Sequence, residues 1–145
     1  MLFWDSDVSD VNEHTRNSKD KNKIRSAYLS DLKNVTQRVL DYGAFFAFGG
    51  PAILGESGFY VRHDFVYKDG MLNDYRRMNQ NVALEYNVTY VDIRHAYMKV
   101  LPFYHWMYSF GFVTVDGEHA NERGAQIVAN NFGDALRPWL KSVST

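Results

Sequence analysis

The chain has 145 residues, 46% of them apolar and 23% charged, with a formal net charge of -1. This is the size and balance of one ordinary globular domain and excludes wholesale disorder. With no cysteine, disulfides, thiolate catalysis and cysteine-ligated zinc are ruled out, and so slight a charge offers no general attraction to nucleic acid or anionic membrane.

Leu2-Phe3-Trp4 reads as the end of a buried strand, followed by a polar stretch to Asn22. From Lys23 the apolar positions Ile24, Tyr28, Leu32, Val35 and Val39 recur every three or four residues, which predicts a helix ending at Gly43. Ala44 to Phe48 is wholly apolar and predicts a parallel strand covered on both faces. Residues 49–69, rich in glycine, are expected to form a long loop. A second helix is predicted from Met71 to Tyr86, with Asn87 as its C-terminal cap, then a strand over Val88–Ile93 and a short helix near His95. Aromatics dominate Leu101 to Val115. Ile127, Val128, Phe132, Leu136 and Leu140 mark a last helix, capped by Asn121 and disturbed near its end by Pro138. Alternating strands and helices predict an α/β chain with a parallel sheet. Only three strands are expected, so the N-terminal part of the sheet is inferred to be missing from this chain or supplied by a partner.

The stretch Asp116-Gly117-Glu118-His119-Ala120-Asn121-Glu122-Arg123-Gly124 carries the clearest chemical signal. An aspartate three residues before a histidine can accept a hydrogen bond from imidazole Nδ1, which fixes the tautomer and presents Nε2 as a general base. The plainer alternative is that Asp116 and Asn121 cap the helix while His119 is an ordinary exposed histidine. Other constellations fail. Asp5-Ser6-Asp7-Val8-Ser9-Asp10 begins like a calcium loop but has Asp10 where glycine belongs and Arg16 where glutamate belongs. His63, His95, His105 and His119 lack zinc-ligand spacing. No glycine-rich phosphate loop occurs. Arg62, Arg76, Arg77 and Arg94 are scattered and expected to be solvated.

The order of an amphipathic helix, Val88-Thr89-Tyr90-Val91-Asp92-Ile93-Arg94, an aromatic loop, Asp116-Gly117-Glu118-His119 and a terminal helix resembles the C-terminal part of the SGNH (GDSL-type) esterases and lipases, over residues 23 to 140. The resemblance implies a three-layer α/β/α, SGNH/flavodoxin-like domain over 1–145 whose N-terminal strands are missing. It implies Asp116 as the orienting acid and His119 as the base of a Ser-His-Asp triad. Gly124 matches the small residue where the last helix packs closely, whereas Ala120 departs from the family's frequent proline. The family's nucleophile block, G-D-S, is absent. Its oxyanion block G-x-N-D would fall on Asp7-Val8-Ser9-Asp10, making Ser9 the substitute donor, with Asn12 an alternative. Ser57, in Gly55-Glu56-Ser57-Gly58, is a weak candidate nucleophile in a loop after a strand.

The expected activity is therefore hydrolysis of a small ester or an acylated carbohydrate or lipid, with no metal or organic cofactor. A rival expectation is a catalytically inactive binding or assembly module. A homo-oligomer, or a partner chain completing the sheet, is anticipated; nucleic acid and a membrane span are not, since no apolar run approaches about 18 residues. The opening Met1 to Asp5 turns acidic too early for a secretory signal. The compartment is unassigned, as is glycosylation at the Asn34 and Asn87 sequons.

Overall fold

The computed structural model describes residues 21–56, 63–101 and 111–144, with Lys21 and 63–70 as backbone only. The expected strand at Leu2-Phe3-Trp4 and the aromatics Phe103 to Phe110 lie outside the described residues.

Helix α1 spans Lys21–Asp41. Its predicted stripe turns inward: Tyr28 and Leu32 are buried, while Val35 and Val39 pack half-buried against the same core. A left-handed residue stops it. Gly43 adopts φ +67°, its N–H reaches the Leu40 carbonyl at 2.8 Å, and the Ala44 N–H reaches that of Val39 at 3.3 Å. These two bonds satisfy carbonyls that a helix end otherwise orphans.

Strand β1 is Ala47–Gly49, shorter than the apolar run that announced it. Ala44, Phe45 and Phe46 precede the ladder, Ala44 exposed and Phe46 buried, so the apolar run does not by itself mark where pairing begins. Helix α2, His63–Tyr86, begins eight residues before the predicted start at Met71. Gly70 sits inside it, and an interior glycine costs only about 1 kcal/mol relative to alanine. Composition alone was too weak a reason to end the helix there. At its C-terminus Asn87 takes φ 51°, and Val88 N–H bonds the Ala83 carbonyl at 3.0 Å, so the predicted cap is present.

Strand β2, Thr89–Val91, pairs with β1 in parallel: Ala47 with Thr89, Phe48 with Tyr90, Gly49 with Val91. Successive strand residues point to opposite faces. Accordingly Phe46, Phe48 and Tyr90 join a core with Tyr28, Leu32, Leu72, Tyr75 and Val82 from α1 and α2. Val91 joins a second core with Ile93, Tyr97, Val113 and Phe132. That second core is closed by α3, Ile93–Val100, and α4, Glu122–Val143. The sheet therefore has helices on both faces, the α/β layering expected from the sequence.

The first core carries a satisfied polar contact. Tyr28 and Tyr75 meet edge to face, with ring centroids 4.7 Å apart, and the Tyr28 hydroxyl donates to Asn79 Oδ1 at 2.6 Å. Arg25–Asp74 and Lys33–Glu85 ion pairs clamp α1 to α2 at its rim.

Two expectations are corrected. Pro138, expected to disturb the end of α4, lies inside the helix, which continues to Val143. The carbonyl deprived of its donor is that of Asp134, an exposed residue, so water can replace the lost bond. Arg76 and Arg94 are not solvated. Arg76 makes a bidentate pair with Asp92, Nε to Oδ2 at 2.9 Å and a terminal nitrogen to the same oxygen at 2.5 Å. Arg94 is buried and donates to the Ala52 carbonyl at 3.3 Å. Each head group finds its acceptor across the sheet's end, which spacing along the chain does not reveal. Arg77 is exposed, and Arg62 lies outside the described residues.

Candidate active site

The loop 111–121, between the aromatic segment and α4, is folded by its own backbone. The Val115 N–H donates to the His119 carbonyl at 2.8 Å and the Asn121 N–H to that of Val113 at 3.0 Å, forming a short antiparallel bridge around Thr114 and Ala120. Gly117, at φ +93°, makes the turn at its tip. Asn121 caps α4 as predicted: its Oδ1 accepts from the Gly124 N–H at 3.0 Å.

This fold brings Asp116 and His119 together. Asp116 Oδ2 lies 2.7 Å from His119 Nδ1, while Oδ1 accepts from the backbone N–H groups of His119 at 2.8 Å and Glu118 at 2.9 Å. The carboxylate is thus held at both oxygens, one by the turn and one by the imidazole. The His119 N–H, then its imidazole, then the Glu118 N–H hold the Asp116 carboxyl down to about 2. Asp116 is consequently an anion throughout the neutral range, an acceptor for the hydrogen bond of an Nδ1–H. Both side chains are open to solvent, at 74% exposure for His119 and 52% for Asp116. The plainer alternative is met in part as well, since Asn121 is the cap, but Asp116 spends its oxygens on His119 and the turn and not on α4.

The loop docks against the carboxyl end of β1, where parallel sheets place their sites. Gly55 N–H donates to the Gly117 carbonyl at 2.6 Å. Glu56, only 5% exposed, accepts from the N–H of Phe112 at 2.7 Å, Val113 at 2.7 Å and Thr114 at 2.5 Å, and from the Thr114 hydroxyl at 2.6 Å. Burial pushes this carboxyl up, and the Thr114 hydroxyl and the three N–H groups outweigh it, leaving it below the ordinary glutamate value. Glu56 is not among the residues singled out from the sequence. Its signal was faint: a carboxylate one glycine after the apolar pair Ile53-Leu54 in a loop.

Gly124 stands where close packing was expected. A Cβ there would lie 2.1 Å from the Val113 carbonyl oxygen and 3.2 Å from the Tyr97 hydroxyl. Across α4's first turn, Arg123 sits over the Phe112 ring, 4.3 Å from its centroid. The remaining sequence candidates Ser9, Asn12 and Ser57 lie outside the described residues.

The fold that carries this loop has counterparts among solved structures. The fold is that of acetyl xylan esterases. An acetyl xylan esterase matches with a TM-score of 0.66 at 21% identity, over 88% of this chain and 62% of its own. An acetylxylan esterase from Geobacillus stearothermophilus matches with 0.68 at 19% identity, over 89% and 55%. An alpha/beta hydrolase enzyme from the metagenome of Lake Arreo, Spain, gives 0.67 at 18%, over 88% and 55%. This chain therefore spans 55–62% of the length of these structures. Two further structures of the Geobacillus enzyme are described as catalytic mutants, one with a serine and one with a histidine replaced by alanine. No family model and no curated protein matches the sequence. At these identities the likeness establishes the fold alone.

Proposed function

We propose that the chain carries the acid–base part of an SGNH-type serine esterase acting on acylated carbohydrates, with acetyl esters the first class to test. The observation that carries this reading is the 2.7 Å contact between Asp116 Oδ2 and His119 Nδ1 on a fold shared with acetyl xylan esterases.

In this reaction His119 Nε2 takes the proton of a serine hydroxyl as its oxygen attacks the ester carbonyl. The carbonyl π pair moves onto oxygen, giving a tetrahedral oxyanion held by hydrogen-bond donors. As the carbon–oxygen bond to the sugar breaks, the imidazolium returns that proton to the leaving alkoxide, and the acyl group stays on the serine. Water then repeats the cycle, losing a proton to Nε2 and releasing the acid. Asp116 remains ionised throughout and stabilises the imidazolium. The exposure of His119 suits a polymeric or oligomeric substrate, which must approach from solvent. The nucleophile is not identified within the chain, where Ser57 is only a weak candidate, and Ser9 or Asn12 are the candidate oxyanion donors; losing one such donor costs about 10²–10³ in rate.

The test is release of acetate from p-nitrophenyl acetate and from acetylated xylo-oligosaccharides. Turnover abolished by His119→Ala supports the reading. Turnover that survives this substitution removes His119 from the chemistry.

A further inference from the structure

The buried carboxylate beside the site has no chemical step to perform, yet four donors converge on it. Three consecutive backbone N–H groups, of Phe112, Val113 and Thr114, converge on Glu56 together with the Thr114 hydroxyl. Successive N–H groups aimed at one point form an anion-binding nest, and here the anion is a side chain 58 residues away from Thr114 in sequence. The same threonine oxygen accepts the Gly117 N–H at 3.1 Å. Gly117 directly follows Asp116, and its carbonyl is in turn held by the Gly55 N–H. A continuous set of hydrogen bonds therefore runs from Glu56 through Thr114 to the turn that aims Asp116 at His119.

We propose that Glu56 is a positioning residue: its ionised carboxylate, acting through Thr114 and the 112–114 backbone, locks the loop in the one geometry where Asp116 orients the His119 imidazole. The catalytic meaning of this lock rests on the esterase reading above, whereas the lock itself does not. Glu56 supplies what a neutral residue cannot, because all four of its partners are donors. A glutamine in its place turns one acceptor into an NH₂ group facing N–H groups. Charged acceptors also form hydrogen bonds roughly twice as strong as neutral ones. Gly111 N–H to Thr114 O at 2.8 Å and Asn121 Nδ2 to Thr114 O at 3.4 Å close the loop's neck, and Val115 N–H to His119 O at 2.8 Å and Gly55 N–H to Gly117 O at 2.6 Å hold its tip beside the Glu56 contacts.

The test reads the pair directly and needs no turnover. Carboxyl ¹³C and imidazole ¹⁵N NMR titrations of the full chain report the Asp116 midpoint and the His119 tautomer. In the wild-type chain Asp116 should titrate at about 2, with the proton on Nδ1. In Glu56→Gln the midpoint should rise towards the ordinary 3.8 and the ring should lose its single tautomer. A residue that merely stabilised the fold would leave both signals unchanged in the folded fraction. Thr114→Val, which keeps both carboxylates and every backbone donor, should shift the midpoint in the same direction by less, and decides the matter if Glu56→Gln does not fold. Thr114→Ser should restore the wild-type value. An Asp116 midpoint that stays at about 2 in the folded variants overturns the proposal. Absent ester turnover with an intact midpoint shift would instead overturn the esterase reading alone.

Discussion

Gly124 and Gly133 lie on the same helix, α4, and the structure predicts that alanine will act oppositely at the two. Gly124 is the third residue of the helix, its N–H capped by Asn121. A Cβ there would approach the Val113 carbonyl oxygen to 2.1 Å, so helix and loop must part by roughly an ångström before the contact becomes tolerable. Overpacking of this kind costs about 1–3 kcal/mol. The displaced carbonyl also accepts the Asn121 N–H, a bond contributing about 1 kcal/mol. Helix propensity returns at most about 1 kcal/mol, leaving a net loss of about 1–3 kcal/mol. Nothing lies within 4 Å of a Cβ at Gly133; alanine there should stabilise by about 0.5–1 kcal/mol. Thermal melts followed by circular dichroism should show Gly124→Ala lower in Tm by about 3–10 °C and Gly133→Ala higher by about 2–4 °C. Because the parting moves the loop that carries Asp116 and His119, esterase kcat/KM should fall in Gly124→Ala and hold in Gly133→Ala. Equal or greater stability of Gly124→Ala over Gly133→Ala would refute the packing argument.

Three further outcomes are expected. Asp116→Asn keeps the shape of the side chain but can donate to Nδ1, so kcat for a chromogenic ester should drop by about 10²–10⁴ while the protein stays folded. Asp116 is held down to about 2 in the folded chain against an ordinary 3.8, so its contribution to stability is complete above 3.8 and lost as the pH falls through 2; the urea midpoint difference between wild type and Asp116→Asn should shrink over that window, and a constant difference would contradict it. Among the described residues β1 pairs only with β2, while Tyr42 and Leu84 are more than four-fifths exposed. Sedimentation at micromolar concentration should accordingly show self-association, and a stable monomer would remove that expectation.

The parts of the fold that were legible in the sequence are those where one periodicity governs. Tyr28, Leu32, Val35 and Val39 announced α1 because a helix buried on one side must repeat its apolar residues every three or four positions. Asn87 announced its cap because few residues tolerate a positive φ, and Asn121 because its side-chain oxygen can accept from a first-turn N–H. The Asp116–His119 contact was legible because both groups sit on one turn. The start of α2 was hidden by Gly70, whose weak local preference the longer helix overrides. Glu56, Arg76 and Arg94 were hidden for a different reason: each is defined by partners 16 to 58 residues away, and spacing carries no information about such contacts. The loop carrying Asp116 and His119 was recognisable while the carboxylate holding it was not, since a tie of this kind exists only once the chain has folded.

The most direct test of the account is the rate at which a fluorophosphonate reagent labels the folded chain, with the modified residue located by mass spectrometry. If His119, steered by Asp116, activates a hydroxyl, one serine should be labelled in the wild-type chain and labelling should slow by orders of magnitude in His119→Ala. Labelling at an undiminished rate in that variant would contradict the account.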